Sequence, residues 1–152
     1  VKKGETKMAK VEVSVVINRP VEEVFTFMRD IKNWLKWQSG MLEAEQSSEG
    51  PVGVGTTYQG VNEFLGRRME WTSEIIAFEQ DKLLEQRIKS GPMLLEQFVK
   101  FEPVEGGTKL TLGGEGETGG LFKLAEPMVN RRMQKEMEGN ISNLKDILEA
   151  QV

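Results

Sequence analysis

The sequence predicts an α+β fold: a curved antiparallel sheet of about seven strands wrapped around a long C-terminal helix, with two short helices after the first strand. Three observations carry this. Segments of strand length follow one another from Met41 to Glu117, with glycine-containing turns between them except at Asp81-Lys82. A separate strand pattern opens the chain and runs into two short helical patterns. The last third, from Gly119 to Val152, keeps helical periodicity.

The first strand is Ala9 to Ile17, with Val11, Val13 and Val15 on one side and Lys10, Glu12 and Ser14 on the other. Asn18 can then cap a helix whose first turn accepts Pro20. Val21, Val24, Phe25 and Met28 recur at helical spacing, and Glu22 and Glu23 suit the helix start. Asp30 to Lys36 reads as a second short helix. Strands are expected at Met41 to Ser48, Thr56 to Leu65, Arg67 to Phe78, Leu83 to Ser90, Met93 to Glu102 and Thr108 to Glu117. Such a hairpin-linked sheet has an apolar face to cover, and only the C-terminal helix is long enough to cover it.

That helix carries a soft stripe. Val129, Met133, Met137, Asn140, Ile141, Leu144, Ile147 and Leu148 fall within an arc of roughly 120°. Arg131, Lys135, Glu138, Lys145, Asp146 and Glu149 point away. Methionine adapts to varied apolar partners, so this stripe can close a core or roof a cavity. Pro127, about seven residues into the expected helix, should kink or break it. The segment before it would then be a mobile lip, with Leu121, Phe122, Leu124 and Pro127 forming the cavity entrance.

Composition excludes much chemistry. The chain has no cysteine and no histidine. Disulfides, thiolate zinc, catalytic thiols and histidine-based triads are therefore ruled out. No cofactor and no metal site are expected, and no catalytic residue can be assigned. A net charge of −4 without a Lys/Arg patch argues against nucleic acid as a partner. No apolar run is long enough to span a bilayer, so stable membrane insertion is not expected. The 152 residues suit one domain over 9–152, with residues 1–8 a disordered or leader segment lacking the apolar stretch of a secretion signal. A cytoplasmic location is expected.

Several phrases, in order, resemble one family. They are Val16-Ile17 into Asn18-Arg19-Pro20-Val21-Glu22-Glu23-Val24-Phe25, Asp30 through Trp37, Val52-Gly53-Val54-Gly55-Thr56-Thr57-Tyr58, and Glu102-Pro103-Val104-Glu105-Gly106-Gly107-Thr108-Lys109-Leu110-Thr111. Together they are similar to the polyketide cyclase/dehydrase and lipid-transport superfamily, also called START-like or SRPBCC, with the helix-grip fold. The resemblance spans about Ala9 to Ala150. It implies an elongated apolar pocket between sheet and C-terminal helix, holding a lipid, sterol, quinone or polyketide-like molecule.

On that basis the pocket lining is expected to include Trp37, Tyr58, Asn62, Phe64, Met69, Trp71, Ile75, Val99, Phe101, Met133, Met137 and Asn140. For most of these, plain core packing competes with cavity lining. Tyr58, Trp71 and Asn140 are sharper, because each needs a hydrogen-bond partner when buried. The leading expectation is a carrier or sensor that binds a hydrophobic small molecule. The alternatives are a polyketide-type cyclase or dehydratase, with Tyr58 or an inward carboxylate moving protons, and a protein-interaction module with an exposed apolar patch. Oligomeric state is not readable from the chain.

Overall fold

The computed structural model describes residues 9–117 and 126–150. Strand β1 (Ala9–Ile17) leads into helix α1 (Val21–Arg29), a 3-10 turn (Ile31–Asn33) and the one-turn helix α2 (Trp34–Trp37). Six strands follow: β2 (Met41–Gln46), β3 (Thr57–Phe64), β4 (Arg67–Glu79), β5 (Leu83–Ser90), β6 (Met93–Val104) and β7 (Gly107–Glu117). Helix α3 spans Glu126–Ala150. Every expected strand is present. The largest boundary changes are in β2, which ends at Gln46 rather than Ser48, and in β6, which runs on to Val104 rather than Glu102.

The seven strands form one curved antiparallel sheet in the order β1-β7-β6-β5-β4-β3-β2. The hairpins are short because the turn residues allow it. Leu65-Gly66 forms a two-residue loop with both residues at positive φ, 55° and 78°, as a right-twisted hairpin requires. Gly91-Pro92 closes β5 onto β6, with Gly91 at φ 57°. These two hairpins lie at the same end of the sheet. The α1 helix covers the inner face at the other end.

The inner face is therefore divided along the strands. At the α1 end, Phe25, Phe27, Trp37, Leu84, Phe101, Leu110, Leu112, Ile141, Leu144 and Leu148 form the main core. Phe25 meets Phe78 and Phe101 edge-to-face, with centroids 5.5 and 5.0 Å apart. A smaller cluster joins Trp34, Tyr58, Trp71 and Ile75. The C-terminal end of α3 is tied to the end of β1. Lys145 Nζ donates to Val16 O (2.8 Å) and to Glu149 Oε2 (2.6 Å), and Asn18 N donates to the same carboxylate (2.8 Å).

The described part of α3 has Pro127 in its first turn, where a missing N–H is tolerated. The expected lip residues Leu121, Phe122 and Leu124 lie outside the described residues, as do residues 1–8. No described helix is long and apolar enough to cross a membrane.

Candidate functional site

At the hairpin end, α3 stands off the sheet and a cavity of about 190 Å³ lies between them. The strands expose alternate residues to it: Asn62 from β3, Met69 and Trp71 from β4, Gln86, Ile88 and Ser90 from β5, and Met93, Leu95 and Gln97 from β6. Met133, Glu136, Met137 and Asn140 face it from α3. Trp34, Gln38, Gly40 and Met41 close the remaining side. Five of the eight methionines in the chain are on this wall.

Several polar groups on the wall are held in place, whereas the Gln38, Gln86 and Gln97 amides have no side-chain partner among the described residues. Trp71 Nε1 donates to Asn62 Oδ1 (2.9 Å). Trp34 Nε1 donates to Met28 O (2.9 Å), and Ser90 Oγ to Glu70 O (3.0 Å). Asn140 is only 9% exposed, and its Oδ1 accepts from Ser39 N (3.0 Å) and Ser39 Oγ (3.3 Å). The amide in the apolar stripe is thus half satisfied by the chain itself. Gly60 has a packing role: a Cβ there would lie 2.5 Å from Trp71 Cζ2, so the missing side chain gives the indole its seat.

Glu136 is the one ionisable side chain on the wall formed by the described residues. Burial pushes its carboxyl above the usual carboxylate range, and the Arg132 guanidinium offsets part of that rise. A Cβ on Gly40 would stand 2.7 Å from Glu136 Oε2, so the carboxylate rests against bare backbone.

Of the residues singled out from sequence, the structure brings Asn62, Met69, Trp71, Met133, Met137 and Asn140 together on this wall. Trp37, Val99 and Phe101 lie instead in or against the main core, because α1 fills that end of the concave face. Tyr58 and Ile75 face inward but sit in the smaller cluster, where the Trp34 ring packs 4.8 Å from Tyr58. The Tyr58 hydroxyl has no partner among the described residues, and its pKa is pushed up to about 12, by burial first and the Asp30 carboxylate second. It stays a neutral phenol at physiological pH and is poorly suited to carry protons there. The Phe64 side chain lies outside what is described.

Sequence reasoning weighed Trp34 as a pocket wall without committing to it, and missed Gln38, Gly40, Met41, Gln86, Ile88, Ser90, Met93, Leu95, Gln97 and Glu136. The strand residues were within reach, since Met93, Leu95 and Gln97 share the inward register of Val99 and Phe101. Glu136 was also within reach. On an ideal wheel it falls only about 20° outside the stripe.

A second hollow, about 360 Å³, lies on the outer side of β2 to β4. Glu43, Glu45, Gln59, Glu70 and Thr72 line it, so it suits water better than an apolar ligand.

A curved sheet gripping a long helix with a hollow between them defines the helix-grip class. The chain belongs to the polyketide cyclase / dehydrase and lipid transport family, whose pattern matches residues 8–149. Solved structures agree in fold. The Zhui aromatase/cyclase from Streptomyces sp. R1128 superposes with a TM-score of 0.79 at 14% identity, covering 94% of each chain. A Thermus thermophilus protein gives a TM-score of 0.78 at 21% identity, over 94% of this chain and 99% of that one. The protein called Ara h 8.0201 gives 0.72 at 15% identity, over 95% and 100%. At these identities the likeness is one of fold. No curated protein matches the chain in sequence.

Proposed function

We propose that this protein binds a hydrophobic small molecule in the cavity beneath α3, as a carrier or sensor. The observation that supports this is the wall itself: five thioethers and two indoles around an unfilled volume of about 190 Å³. A fold built only for stability would cover these side chains, because apolar surface left in contact with water forfeits burial energy. Methionine suits a wall that must fit an external partner.

Volume narrows the ligand class. Small-molecule sites usually span about 300–1,000 Å³, whereas a cavity of about 150 Å³ accommodates a benzene ring. The space at rest therefore favours a molecule of one or two rings, such as a small quinone or aromatic polyketide fragment. A sterol or long acyl chain requires the thioethers to move. Native mass spectrometry of the purified protein, followed by fluorescence titration with naphthalene, menadione, palmitate and cholesterol, tests this. Saturable uptake of the ring compounds, read by Trp34 and Trp71, is expected. No copurified ligand and no saturable uptake of any of the four would remove the proposal.

One observation favours a second reading, a cyclase or dehydratase. Glu136 gives the wall a carboxyl able to move a proton, and some fold relatives are named aromatase/cyclases. Conversion of a poly-β-carbonyl substrate to an aromatic product by wild type but not Glu136→Gln would establish that reading. Binding without turnover would remove it.

A further inference from the structure

Seven residues of the cavity wall are polar, among them Gln38, Gln86 and Gln97, and two of the seven, Glu136 and Asn140, lie side by side on α3. Glu136 and Asn140 are four residues apart on α3, so their side chains are neighbours on one helix face. Their hydrogen-bonding roles are opposite. Burial raises the pKa of the Glu136 carboxyl, and above that raised range its carboxylate only accepts. Glu136 has no hydrogen-bond partner among the described residues, and Gly40, whose carbonyl is fixed by Glu63 N at 2.7 Å, leaves it room against the α2–β2 turn.

Asn140 offers the complementary group. The Ser39 backbone N–H is a donor and requires an oxygen, which fixes the amide with Oδ1 toward Ser39 and Nδ2 on the other side. Nδ2 has no partner among the described residues, and Asn140 is part of the cavity wall. One face of α3 therefore presents an acceptor next to a donor, with thioethers around both. A hydroxyl group satisfies such a pair, because it donates one hydrogen and accepts another.

We infer that the cavity selects a small apolar molecule bearing a hydroxyl, whose O–H donates to Glu136 and whose oxygen accepts from Asn140 Nδ2, and that it turns away carboxylates. This rests on the reading of the cavity as a binding site and adds the polar end of the ligand to it. A ligand carboxylate would bring a second negative charge against Glu136 in a partly desolvated space, a repulsion that the Arg132 guanidinium offsets only in part. Fatty acids are accordingly the disfavoured class, and phenols and small alcohols the favoured one.

The test is calorimetric titration at mildly alkaline pH, which favours the ionised form of Glu136, with three probes of nearly one shape: p-cresol, p-xylene and p-toluate. Wild-type protein should bind p-cresol about tenfold or more tighter than p-xylene, as expected for a hydrogen bond to a charged group, and p-toluate more weakly than both. Glu136→Met should still bind p-xylene and should lose the preference for p-cresol. Glu136→Gln, which keeps the shape, should retain only part of it. Equal affinity for p-cresol and p-xylene in wild type, or an unchanged preference in Glu136→Met, overturns the inference and leaves the cavity reading standing. Tight p-toluate binding also overturns it. Failure of both neutral probes to bind wild type removes the cavity reading, and this inference with it.

Discussion

Gly60→Ala should destabilise the protein by about 2–3 kcal/mol in urea unfolding, the cost of forcing a methyl group into a filled site. The added Cβ would lie 2.0 Å from the Glu43 carbonyl oxygen and 2.5 Å from the Trp71 ring. The first contact is backbone on a paired strand and cannot yield without disturbing the β2–β3 ladder. The second displaces the indole that walls the cavity and strains its bond to Asn62. Ligand uptake should fall together with stability. Gly53→Ala is the control: nothing lies within 4 Å of a Cβ there, so it should be near neutral. A Gly60→Ala midpoint within error of wild type would show that Trp71 does not need this seat.

The second large effect separates the two ends of α3. Leu144 is fully buried among main-core residues, so Leu144→Ala should cost about 3–5 kcal/mol. Met133 is half-buried beside a space already empty, so Met133→Ala should cost about 1 kcal/mol or less. For binding the order reverses. Met133→Ala should alter ligand affinity, whereas Leu144→Ala should leave it nearly unchanged once the folded fraction is accounted for. Urea denaturation and titration of the same two variants check both halves. Equal stability costs would mean that the helix is packed uniformly and the cavity is not a distinct region.

The fold was legible because its signals are local. Alternation marks β1 and β4, Gly66, Gly91 and Gly106 mark the tight turns, and the stripe from Met133 to Leu148 marks α3. The site was legible only as a face. Alternation shows that Phe101 and Gln97 point the same way, but not that α1 fills the space over Phe101 while the space over Gln97 stays open. That difference comes from α1 docking across the sheet, a contact between segments far apart in the chain. Trp34 and Trp37 show the same limit. Three residues apart on one helical turn, they diverge to the cavity wall and the main core. Glu136 was passed over for a different reason. A charged residue at the edge of an apolar stripe ordinarily reaches solvent, and here the bare backbone of Gly40 lets it turn inward instead.

The five wall methionines also determine how the protein meets peroxide. Without thiols, its readily oxidised sulfur is all in methionine. Sulfoxide formation at Met69, Met93 or Met137 would place a polar, chiral S=O where an oily surface is needed. Met128, 71% exposed, can oxidise with little consequence, and Met28 is shielded at 3% exposure. Mild peroxide followed by peptide mass mapping should show ligand capacity falling in step with oxidation of the wall and not with that of Met128, while the folded core persists.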